Sequence, residues 1–136
     1  MFVNTENKYI WKNGSFKRWN ESNVHILSHT LHYGTGVFEG VRAYETNDGP
    51  AIFRLSDHTK RLYDAASKIS INIPFSESEL NIAQCDTLEK NNLKEVDFSF
   101  DANESNSVEI KNCWEEEDLA SQKRYCLSSE KLFHNF

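Results

Sequence analysis

The sequence predicts an α+β domain, an antiparallel sheet with two helices covering one face. Short β-prone segments flank Asn13-Gly14 and again Asn47-Asp48-Gly49, the turn chemistry of tight hairpins. Two longer stretches with helical apolar spacing follow, at Leu55–Ser70 and Ser76–Lys90. The chain has 136 residues, 38% of them hydrophobic and 26% charged, which suits one soluble domain with a modest core.

The elements read in order as follows. Lys8–Lys12 alternates weakly, Asn13-Gly14 turns, and Ser15–Trp19 returns as the second strand. A polar connection over 20–23 leads to Ser28–Arg42, which holds three of the five glycines and two of the five histidines. Val37–Glu45 reads as a third strand. Its two-residue period sets Phe38, Gly40, Arg42 and Tyr44 on one face and Val37, Glu39, Val41 and Ala43 on the other. A glycine in mid-strand marks a bulge or the close approach of a ligand or another backbone. Pro50–Arg54 is the partner strand. Ser56 is placed to cap the first helix, whose apolar stripe is Leu55, Leu62, Ala65, Ala66 and Ile69, with His58 beside it. Arg61 lies next to Leu62, so its stem can pack while its guanidinium reaches a cleft. A solvated surface arginine is the plainer alternative. Asn72-Ile73-Pro74 breaks the chain, Ser76 and Glu79 have capping-box spacing, and Asn91-Asn92 ends the second helix.

After Leu93 the periodicity fades. Val96–Phe100 suits one more strand, 101–107 a loop, and 115–133 a marginal helix, acidic at its start. Residues 1–95 carry 11 basic and 12 acidic side chains, whereas residues 96–136 carry 4 and 9; no glycine or proline follows Pro74. The expected division is therefore a folded domain over 1–95 and a loosely packed acidic tail over 96–136.

Bulk properties exclude some functions. A net charge of −6 argues against nucleic-acid binding, and no apolar run has the length of a membrane span. The first residues show neither a basic start nor a signal-type apolar stretch. Cys85, Cys113 and Cys126 fit neither a zinc pattern nor a disulfide framework, so a cytoplasmic setting is expected. His25, His29 and His32 would share one face of a helix as a metal stripe. Gly34 and Gly36 cut that helix short and no carboxylate or cysteine has matching spacing, so no metal is expected.

Over residues 8–95 the chain resembles the N-terminal part of branched-chain amino-acid aminotransferases, class IV enzymes dependent on pyridoxal 5′-phosphate (PLP). The resemblance is carried by YIWKNG, VHILSHTLHYGTGVFEGVRAY, GPAIFR, HTKRLYDAASKI and KNNL, in family order and spacing. It implies the small domain of that fold and transfer of the amino group of Leu, Ile or Val to 2-oxoglutarate within a cytoplasmic homodimer. By position it makes Arg61 the phosphate-binding arginine and Phe38 and Gly40 the substrate-pocket wall. Tyr33 becomes a tyrosine offered to the neighbouring subunit's site, and Arg42 has a supporting structural role. A guanidinium suits a phosphate dianion because its planar fork grips two oxygens.

The resemblance also implies a gap. The family's Schiff-base lysine lies in a large C-terminal domain, and none of the ten lysines here matches its motif. No catalytic residue is therefore assigned, and the chain alone is expected to be inactive. The loss of resemblance near residue 95 reads as truncation, frameshift or an unrelated join. The rival reading is a non-catalytic domain that binds a partner through the sheet surface around Phe38 and Tyr44.

Overall fold

A computed structural model describes residues 8–94, 96–103 and 108–115. Its elements are β1 (Tyr9–Lys12), β2 (Ser15–Arg18), α1 (His29–Tyr33), β3 (Gly36–Thr46), β4 (Gly49–Ile52), α2 (Leu55–Lys68), α3 (Glu77–Asn91), β5 (Val96–Asn103) and β6 (Val108–Glu115). The strands form one sheet in the order β2-β1-β6-β5-β3-β4, with every neighbouring pair antiparallel. The fold class is the α+β arrangement that the sequence predicts.

Local chemistry sets the turns. Asn13 and Gly14 both adopt positive φ, 50° and 85°, and join Lys12 to Ser15 in a two-residue hairpin whose twist matches the strands. Asn13 also serves the neighbouring strand on the other edge of β1: its Oδ1 accepts from the Val108 amide at 2.8 Å, and its own amide donates to the Val108 carbonyl at 3.1 Å. The first turn of the chain thus anchors the start of β6.

Alternation sets the faces. Along β3, Glu39, Val41 and Ala43 are buried, while Phe38, Gly40 and Tyr44 are exposed. Helices α2 and α3 pack on the buried side and against each other. Leu55, Leu62 and Ala66 from α2 and Leu80, Ala83 and Leu88 from α3 close the core over Val41, Ala43, Ala102, Val108 and Ile110. The capping box of α3 forms as the spacing predicts: Ser76 Oγ accepts from the Glu79 amide, and the Glu79 carboxylate accepts from the Ser76 amide. At its other end Asn91 clamps β1, its Oδ1 accepting from the Tyr9 amide and its Nδ2 donating to the Tyr9 carbonyl.

Several expectations change. Helix α2 begins two residues earlier than a Ser56 cap allows, with Arg54 in the left-handed region (φ 48°) at its cap position and bonded to Asp57. Thr59 takes a buried place on its inner face, and Ile69 is exposed. The sheet has six strands: the one expected at Val96–Phe100 extends to Asn103 as β5, β6 was not expected, and the two lie at the sheet's centre and share seven residue pairings. The change of composition at residue 95 is therefore not a break in the sheet. Cys85 is disulfide-bonded, although cysteine spacing suggested no framework. The helix expected over 115–133 falls, beyond Glu115, outside the described residues. Among the described residues no helix is long and apolar enough to cross a membrane.

Core and cap should separate in stability measurements. Leu62 is fully buried, so Leu62→Ala should lower the unfolding free energy by about 2–5 kcal/mol through lost burial and a residual cavity. Ser76→Ala removes only a helix cap and should cost about 1 kcal/mol. Urea midpoints at a shared m-value check the order.

Candidate active site

The site assembles where α2 passes β3. Strand β4 pairs only with Ala43–Thr46 of β3, and the Phe53 amide adds one bond to the Arg42 carbonyl. No described strand covers that edge from Gly36 to Val41. Peptide groups alternate between the two edges of a strand, so Phe38 and Gly40, four and two residues before Arg42, turn theirs toward the uncovered side. Gly40 also leaves room on its face: a Cβ built there would meet nothing within 4 Å. The packing of these residues does not itself require a glycine at that position.

Glu39 points the other way, into the helix side, and is 5% exposed. A carboxylate there needs partners, and α2 supplies two. Arg61 Nε donates to Glu39 Oε1 at 2.5 Å and Arg61 Nη2 donates to Oε2 at 2.6 Å. His58 Nδ1 lies 2.9 Å from Oε2. Burial pushes the Glu39 carboxyl up, but the hydrogen bonds and charges of Arg61 and His58 outweigh it and hold the carboxyl below its ordinary value. An ionised carboxylate only accepts, so His58 Nδ1 carries the hydrogen. The same contact raises the already high pKa of Arg61.

The predicted site residues divide between two faces. Arg61 stands at the helix face of β3, with its side chain 67% exposed. Phe38 and Gly40 belong to the opposite face, and the uncovered edge runs between the two sets. Tyr33 ends α1, exposed, with its ring edge-on to His29 at 5.5 Å. Arg42 places its guanidinium over the Tyr44 ring at 5.5 Å. The histidine stripe does not form: His25 precedes α1, and His32 Nε2 lies 2.8 Å from the Ile26 carbonyl oxygen. Among the described residues no group of three or more metal-ligating side chains is placed to hold an ion. Sequence reasoning set Glu39 on the strand face shared with Val37, Val41 and Ala43 without giving it a role. A carboxylate on the buried side of a strand was the available signal, since such a group demands a cation.

A fold of this kind, with an arginine beside the uncovered edge of its long strand, has known counterparts. The chain belongs to the class IV aminotransferase family, whose model matches residues 36–123. It is 51% identical over 85 residues to the branched-chain-amino-acid aminotransferase of Pseudomonas aeruginosa, covering 62% of this chain and 28% of that protein. The Escherichia coli K12 enzyme of the same name is 47% identical over the same shares. Among solved structures, the E. coli branched-chain aminotransferase superposes with a TM-score of 0.73 at 35% identity, over 79% of this chain and 40% of that one. The T.th. branched-chain aminotransferase, complexed with N-(5′-phosphopyridoxyl)-L-glutamate, gives 0.75 at 38% identity, over 81% and 41%. The chain spans about 28% of the length of these curated relatives.

The Glu39 cluster has a pH signature. Because the folded-state pKa of Glu39 lies below its ordinary value of 4.5, the stability it adds is complete above that value and is lost as pH falls through the lower folded pKa. The stability difference between the wild type and Glu39→Gln should shrink as pH drops below 4.5. Urea unfolding at stepped pH measures it; a difference that grows on acidification contradicts the assignment.

Proposed function

We propose that this chain supplies the N-terminal small domain of a branched-chain amino-acid aminotransferase, which moves the amino group of Leu, Ile or Val to 2-oxoglutarate with PLP. The observation that carries the reading is the 51% identity with such an enzyme over 85 residues. The donor set also suits the phosphate end of the cofactor. Glu39 occupies Nε and one Nη2 hydrogen of Arg61, and the outer edge of an exposed guanidinium keeps three donors for an anion. When bound, the cofactor supplies the electron-withdrawing ring that eases proton removal from the substrate Cα. Arg61 binds the phosphate, while Phe38 and the open space at Gly40 shape an apolar slot for the substrate side chain.

The lysine that holds the cofactor comes from sequence outside these 136 residues, so the chain alone does not transaminate. It works in the cytoplasm within a homodimer, to which Tyr33 is offered. A second reading, a non-catalytic partner-binding domain, draws on the exposure of Val24, Ile26, Leu27, Leu31, Tyr33 and Phe38 along one short stretch.

The purified chain, given PLP, leucine and 2-oxoglutarate, should show no turnover above the cofactor-only background. Co-expression with the C-terminal portion of the E. coli relative should restore turnover, and Arg61→Ala should then lower it by about tenfold or more at limiting PLP. Turnover by the chain alone overturns the inactivity. Failure to associate with the added portion while binding another protein favours the second reading.

A further inference from the structure

We infer that Glu39 is a positioning residue for phosphate binding: it clamps the inner edge of the Arg61 guanidinium and so aims the outer edge at the anion. This rests on the phosphate role given to Arg61 above. Glu39 is fixed twice, by the backbone of β3 and by His58, whose Nδ1–H donates to Oε2. Arg61 is long and 67% exposed on its side chain, so nothing but a contact of this kind orders its torsions before a ligand arrives. The contact is side-on, through Nε and Nη2, and leaves both Nη1 hydrogens and one Nη2 hydrogen facing outward.

Two effects of Glu39 on an anion oppose each other. Its negative charge offsets that of Arg61 and weakens long-range attraction. Its clamp removes the ordering that Arg61 would otherwise undergo on binding. The first is reduced because the carboxylate is buried, shares its charge with His58, and lies behind the guanidinium from any ligand at the outer edge. The second applies in full at an exposed arginine. Positioning therefore outweighs repulsion, and the sign of the effect is open to measurement.

The probe is pyridoxamine 5′-phosphate, which keeps the phosphate and has no aldehyde to react with lysines. Its affinity for the 136-residue chain is read by its fluorescence, and the Arg61 Nε–Hε signal is followed by NMR with Arg54 as the internal reference. The wild type should show an Arg61 Hε that exchanges slowly with water. Glu39→Gln should lose that protection and bind the probe about 5- to 10-fold more weakly. His58→Ala, which leaves both Arg61 contacts in place, should give a smaller loss in the same direction and serves if Glu39→Gln fails to fold. Unchanged or tighter binding in Glu39→Gln, with Arg61→Ala weakened, overturns the positioning role alone. Unchanged binding in Arg61→Ala overturns the phosphate reading on which it rests.

Discussion

Strand β3 has to satisfy two faces and two edges with eleven residues, and the rest of the structure is arranged around how it does so. Its inner face must be apolar to receive α2, and Val41 and Ala43 supply that. Glu39 breaks the pattern at the end of the strand where β4 no longer pairs. A buried carboxylate destabilises unless it is paired and hydrogen-bonded. That demand fixes the rotation of α2 about its axis, since His58 and Arg61 must both face the strand while Leu55, Leu62 and Ala66 stay in the core. One turn of helix thus meets an electrostatic and a packing constraint together. Edge and face are linked in the same way: the short β4 leaves the peptide groups of Phe38 and Gly40 uncovered, beside the spot where Arg61 emerges.

Much of this was legible in the sequence because the decisive features are local. The hairpin at Asn13-Gly14 needs only two residues that tolerate positive φ. The capping box at Ser76 needs two side chains three apart. The faces of β3 follow from a period of two once one side is buried. Arg61 was also legible as a residue at the margin of an apolar stripe. What stayed hidden was its partner. Glu39 and Arg61 are 22 residues apart, and their meeting depends on how α2 crosses β3, which no local pattern encodes. The left-handed Arg54 at the start of α2 was equally unreadable, because Ser56 offered a better cap by residue type and packing of Leu55 overrode it.

Strand β5 was read only over its first part, Val96–Phe100, and β6 was missed, for a different reason. Alternation is present in VDFSFDAN and again in VEI. It was outweighed by the acidic composition and by the lack of glycine or proline, which removed the usual turn signal between them. Their pairing is also non-local: β5 lies against β3 and β6 against β1, so each is stabilised by residues far back in the chain. Ala102, Val108 and Ile110 are fully or almost fully buried, and this burial gives an otherwise acidic stretch a place in the core.

That placement agrees with the comparisons: the family model matches through residue 123, and the solved structures superpose over more of the chain than the curated relatives align with. The curated relatives align over 62% of the chain, whereas the solved structures superpose over 79–81% of it. A central antiparallel strand asks only for alternation and the right length, a demand that many sequences meet. The segment around Glu39 asks for more: a buried carboxylate on the inner face that reaches both Arg61 and His58 of α2. Without β5 and β6 no strand pairing would join the β1–β2 hairpin to β3, and the helices alone would hold the two together. The stretch with the most permissive sequence therefore holds the sheet together, and the stretch with the most exacting one borders the uncovered edge of β3.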